Sequence, residues 1–140
     1  MTESIVIRPG TPADLEQIRD IQVAAPGAAH WPPEDYFRHH ILVAVREEQL
    51  AGFVVWMDAG PDEAEILNVA ISPRLRMRGI ASLLLKAALD AAPATIFLEV
   101  RESNEAARAL YRKLGFSEVG IRTSYYENPP ESAVVMKLCS

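Results

Sequence analysis

Apolar residues fall into two kinds of rhythm along this chain. Seven stretches are short, β-rich and bounded by turn residues: 4–8, 41–45, 51–57, 65–71, 95–100, 116–124 and 132–138. Three others repeat at helical spacing. Leu15, Ile18 and Ile21 or Gln22 mark the first, which opens at Thr11-Pro12-Ala13-Asp14 and closes at Pro26-Gly27. Thr11 is suited to the cap, Pro12 to the first turn and Asp14 to the positive end of the helix. Ile80, Leu83, Leu84, Ala87 and Ala88 mark the second, over 79–91. Ala107, Leu110, Tyr111 and Leu114 mark the third, over 104–114, with Asn104 as cap and Gly115 as terminator. A further short helix is predicted over 34–39. The strands over 41–45, 51–57 and 65–71 succeed one another through short turns and predict an antiparallel meander. The whole order, β-α-(α)-β-β-β-α-β-α-β-β, predicts an α/β protein: one domain over 1–140, its mixed, mostly antiparallel central sheet carrying helices on both faces.

Composition narrows the function. Of the 140 residues, 49% are hydrophobic and 24% charged, enough for a packed core under a solvated surface. The net charge of -5 argues against nucleic acid as a partner, since such binders neutralise phosphates. No run approaches the roughly 20 apolar residues of a membrane span, and Met1 to Ile7 lacks signal-peptide features. The single cysteine, Cys139, has no internal partner for a disulfide, so a reducing, cytoplasmic setting is expected. His30, His39 and His40 lack the cysteine or carboxylate companions of a metal site, and no metal is expected.

The one dense basic cluster is Arg74-Leu75-Arg76-Met77-Arg78, immediately before Gly79-Ile80-Ala81-Ser82. A strand-to-helix turn with a glycine and a small residue presents free backbone amides at the positive end of a helix, beside arginine side chains. That chemistry suits a diphosphate. A solvated basic helix start reads equally well from pattern alone. The turn lacks the Gly-Lys-Ser/Thr of a P-loop and the three glycines of a dinucleotide fingerprint.

Here the chain resembles a known family. The segment from Asn68 to Leu85 resembles the acetyl-CoA motif of the GNAT N-acetyltransferases, Arg/Gln-x-x-Gly-x-Gly/Ala, matched by Arg76, Gly79 and Ala81. Leu98 to Phe116 resembles their second motif. Leu98 to Asn104, Ala109 to Tyr111 and the pair Tyr125-Tyr126 are most similar to the bacterial ribosomal-protein-alanine N-acetyltransferases. The resemblance implies the GNAT fold, acetyl-CoA as co-substrate, and the N-terminal α-amine of a ribosomal protein as acceptor, in a monomer or weak dimer. It implies Glu99 as general base and Tyr111 as general acid. It assigns Val69, Ala70 and Ile71 to the pantetheine arm, Arg76, Met77, Arg78, Gly79, Ile80, Ala81 and Ser82 to the diphosphate, and Asn104 to coenzyme A. Tyr125, Tyr126 and Trp31 are the expected substrate-binding residues.

Each assignment has a plainer structural alternative. Glu99 shares a strand face with Phe97 and Arg101, so it also reads as a surface carboxylate paired with Arg101. Tyr111 reads as a core tyrosine, Asn104 as a helix cap, and Tyr125-Tyr126 as strand packing. Trp31 suits either a lid over the core or a substrate-facing wall, and the segment from Ala28 to Phe37 departs from the family's aromatic-Pro-Trp-Ser pattern. Two other functions stay open: an acetyltransferase for a small amine or lysine side chain, and a coenzyme A-binding module without catalysis.

Overall fold

The computed structural model describes residues 4–25, 31–75, 79–92, 95–126 and 130–139, with the side chains of Ser124 and Tyr126 left aside. It contains strands β1 (Val6–Pro9), β2 (His40–Arg46), β3 (Gln49–Gly60), β4 (Glu63–Ile71), β5 (Thr95–Arg101), β6 (Ser117–Tyr126) and β7 (Glu131–Cys139). Helices α1 (Leu15–Ala24), α2 (Ile80–Ala91) and α3 (Glu105–Lys113) stand where the periodicity put them. The segment expected as a short helix over 34–39 is a 3-10 turn, Pro33–Arg38, beginning just after Pro32. The strands form one seven-stranded sheet in the order β1-β2-β3-β4-β5-β7-β6. Pairs β1–β2, β2–β3, β5–β7 and β6–β7 are antiparallel, and β4–β5 is parallel.

The chain divides into two compact units: residues 1–57 with 67–91, and residues 58–66 with 92–140. In the first, β3 is buried on both faces from Leu50 to Trp56, so its apolar run is continuous rather than alternating. Ile18 and Ile21 of α1 pack with Tyr36, Val43, Phe53 and Val55 in its core. The Tyr36 and Phe53 rings lie 5.7 Å apart. Asp14 completes the entry to α1, where its carboxylate accepts from the Thr11 amide (2.9 Å) and from both Arg8 guanidinium nitrogens (2.8 and 2.9 Å). Those bonds to Arg8 hold the Asp14 carboxyl below its ordinary range.

In the second unit, β5 alternates strictly, with Ile96, Leu98 and Val100 buried and Phe97, Glu99 and Arg101 half-buried. Phe116, Val134 and Met136 complete that core. The strand register places the functional side chains. Parallel pairing of β4 with β5 runs from Glu63 opposite Thr95 to Ile66 opposite Leu98 and stops there. β4 continues for Leu67–Ile71 beyond its last β5 partner, and Glu99 is the first β5 residue past it.

Candidate active site

Glu99 occupies the half-buried face of β5, its side chain 13% exposed. An arginine of β6, Arg122, places a guanidinium nitrogen 3.1 Å from its carboxylate. The Tyr125 hydroxyl hydrogen-bonds the same carboxylate, and its own ionisation is pushed up by burial first and by the Glu99 charge second. The Arg122 guanidinium also lies over the Tyr125 ring, 5.1 Å from its centroid. The expected pairing of Glu99 with Arg101 is not what forms: Arg101 bonds Glu131 of β7 at 3.3 Å. Glu65 of β4 shares the cluster. Burial raises its pKa, the Glu99 charge raises it further, and Arg122 opposes both.

Tyr111 is fixed by the end of α3. Gly115 takes φ +108°, its amide donates to the Arg112 carbonyl (3.0 Å), and the Phe116 amide donates to the Tyr111 carbonyl (3.0 Å). This is the Schellman arrangement, and its usual apolar contact is made here by the Phe116 and Tyr111 rings, with centroids 5.8 Å apart. At the other end of α3, Asn104 Oδ1 accepts from the Ala107 amide at 3.2 Å, so its capping role is realised.

The expected acetyl-CoA residues lie in the first unit. Gly79 has φ +76°, which an L side chain rarely adopts, and its carbonyl accepts the first helical bond from Leu83 (3.1 Å). The amides of Ile80, Ala81 and Ser82 therefore have no acceptor within α2. Among the described residues, nothing lies within 4 Å of where a Gly79 Cβ would stand. Arg76, Met77 and Arg78 lie outside the described residues. On β4, Val69 and Ile71 are half-buried and Ala70 is buried. Gly52 of β3 comes close to Ala70 and Ile71, and the Ser72 amide donates to the Ala51 carbonyl at 2.7 Å.

Three buried polar residues to which the sequence assigns no functional role also meet in this unit. The Tyr36 hydroxyl donates to Gln22 Oε1, and Asn68 Nδ2 reaches both Gln22 Oε1 (3.1 Å) and the Tyr36 oxygen (3.0 Å). Gln22 Nε2 then donates to the Trp31 carbonyl at 2.8 Å. Trp31 is 47% exposed and lines a cavity of about 210 Å³ with Tyr36, His39, Met57 and Leu67 among others. The Tyr125 side chain is 42% exposed; that of Tyr126 is outside the described residues. Glu65 and Arg122 are further site residues that the motifs do not include. Neither carries a signal in the sequence: Glu65 opens the apolar stretch 65–71 as turn-flanking polar residues ordinarily do, and Arg122 is one of several charged residues late in the chain.

The sequence profile described as the "Acetyltransferase (GNAT) family" matches residues 14–116. The chain belongs to the GNAT family. It is similar to the N-alpha-acetyltransferase RimI of Mycobacterium tuberculosis, at 33% identity over 147 residues, covering 97% of this chain and 93% of that one. An uncharacterised Mycobacterium leprae protein is 34% identical over 146 residues, and there the chain spans 96% of its own length but 41% of the relative's. Among solved structures, the ribosomal-protein-S18-alanine N-acetyltransferase of Escherichia coli superposes with a TM-score of 0.87 at 30% identity, covering 97% of this chain and 94% of that one. As a GNAT enzyme, the protein is an acetyl-CoA-dependent N-acetyltransferase. The seven-stranded, mostly antiparallel sheet is the GNAT sheet, as the resemblance of the two motifs implied.

Proposed function

We propose that this GNAT enzyme acetylates the N-terminal α-amine of a ribosomal protein, with Glu99 as general base and Tyr111 as general acid. The observation that carries the reading is Glu99 itself: a half-buried carboxylate just past the last β4–β5 pair, gripped by Arg122 and Tyr125. The similarity to enzymes named for N-terminal alanine acetylation supports the choice of acceptor. The acceptor's chemistry supports it too. An α-amine has a pKa of roughly 7.7–8.0 against roughly 10.4 for lysine, so freeing its lone pair at neutral pH costs about 3.5 kcal/mol less. A carboxylate acting directly or through one water suffices for that deprotonation.

In this scheme the amine nitrogen attacks the thioester carbonyl carbon and gives up its proton to Glu99. Backbone amides at Val69 or Ala70 hold the oxyanion. The C–S bond then breaks, and Tyr111 supplies a proton or a hydrogen bond to the departing thiolate. Val69, Ala70 and Ile71 pair with the pantetheine arm through the β4 edge beyond Ile66. The amides of Ile80, Ala81 and Ser82 meet the diphosphate together with Arg76, Met77 and Arg78, the Gly79 turn leaves the space that the group needs, and Asn104 adds a coenzyme A contact. Trp31, Tyr125 and Tyr126 are the residues proposed to bind the acceptor peptide. The whole chain acts as one catalytic domain, as a monomer or weak dimer in the cytoplasm.

The test is acetyl transfer, followed as free thiol, to a peptide with a free N-terminal alanine, to its N-blocked form carrying an internal lysine, and to a polyamine. Turnover is expected on the free N-terminus alone, with Tyr111→Phe slower by about 10²-fold or more. Turnover on lysine or polyamine only would keep the enzyme class and remove the N-terminal reading.

A further inference from the structure

Glu99 is not alone among the acids of its face. β4 alternates so that Glu63, Glu65, Leu67, Val69 and Ile71 share the half-buried side, and β5 alternates with it in parallel. The register sets Glu65 opposite Phe97, one step diagonally from Glu99 on the same face. Same-face diagonal neighbours lie within reach of long side chains. From the other side, β6 delivers Arg122 to 3.1 Å from the Glu99 carboxylate. The base thus stands between a carboxylate and a guanidinium.

We propose that Glu65 is a positioning carboxylate for Glu99, and that Glu65 and Arg122 exert opposite electrostatic biases on the group that receives the acceptor's proton. The proposal rests on Glu99 being the base.

Among the described residues Glu99 has other neighbours on this face, Lys137 of β7 standing diagonal to it as Glu65 does. On β6, Tyr125 donates a hydrogen bond and is neutral. On β7, the residue paired with Glu99 is Val135, and Lys137 sits over the Phe97 ring at 5.6 Å. On β5, Arg101 is engaged by Glu131. Burial raises the pKa of Glu65, and the Glu99 charge adds to the rise, as expected of two carboxylates sharing one site.

The experiment follows the single-turnover rate of acetyl transfer against pH in the full chain. Glu65→Gln is expected to move the acid limb of the rate profile down by about one pH unit. Arg122→Gln is expected to move it up, by about half a unit given its exposure. Glu65→Asp, which keeps the charge, is expected to stay near wild type and so separates charge from packing. An acid limb unmoved in Glu65→Gln, or moved in the same direction by Glu65→Gln and Arg122→Gln, would overturn the proposal. Full transfer activity in Glu99→Gln would overturn the underlying base assignment instead, whatever the profiles show.

Discussion

Replacing Glu99 with glutamine is expected to lower the rate of acetyl transfer by about 10²- to 10⁴-fold, the range that a positioned general base contributes. The amide keeps the size and the hydrogen-bonding reach of the carboxylate but cannot take a proton. The protein is expected to stay folded. The Arg122 partner is more than half exposed, and pairs of that kind contribute at most about 1 kcal/mol. Thermal melting and coenzyme A affinity should therefore remain close to wild type while turnover collapses. A variant with wild-type turnover on every acceptor would remove Glu99 from the chemistry. One that lost turnover because it failed to bind coenzyme A or to fold would show that the residue supports the site without entering the reaction.

The second large effect is expected at Gly52. A Cβ there would stand 2.7 Å from the Ala70 carbonyl oxygen and 2.6 Å from Ile71 Cδ1, with Ile71 Cα at 3.3 Å. The Ile71 methyl can turn away, but the Ala70 carbonyl is backbone and moves only with β4. Gly52→Ala should therefore cost about 1–3 kcal/mol of stability, the usual range for overpacking. It should also displace the stretch Val69–Ile71 proposed to pair with the pantetheine arm. An affinity loss of about tenfold or more for coenzyme A is expected, equal to about 1.4 kcal/mol, measured by calorimetry beside a thermal melt. A variant that melts lower yet binds coenzyme A as tightly as wild type would confine Gly52 to packing and count against the pantetheine role of Val69–Ile71.

Much of this architecture is legible because its signals are local. Asn104 and Gly115 announce both ends of α3, and the cap bond and the Schellman turn are there. The β5 alternation puts Glu99 on the half-buried face with Phe97 and Arg101, as its residues suggest. Its partner is not legible. A neighbour two residues away on one strand looks available, but Arg101 is taken by Glu131 and Glu99 by Arg122. Those pairings depend on how β5, β7 and β6 align, which no local pattern records. Glu65 reaches the same cluster through the parallel register, again a tertiary fact. The contacts of Gln22 with Tyr36 and Asn68 span 14 and 46 residues of sequence. The helical spacing admits Gln22 to the inner face of α1 as an alternative to Ile21, but it records neither partner.

The buried Tyr36 hydroxyl has a consequence at the alkaline end of the pH scale. Burial pushes its ionisation from the ordinary value near 10.0 up to about 12, with the Asn68 contact only partly offsetting the rise. In the unfolded chain the phenol ionises near its ordinary value, so the native state forfeits stability as pH climbs from about 10 towards 12. Of the four tyrosines in the chain, Tyr36 should be the one whose phenolate absorbance appears together with loss of native circular dichroism. Tyr36→Phe should flatten that alkaline decline. Gln22 and Asn68 would then lose a shared partner, and the variant should start from a lower stability at neutral pH.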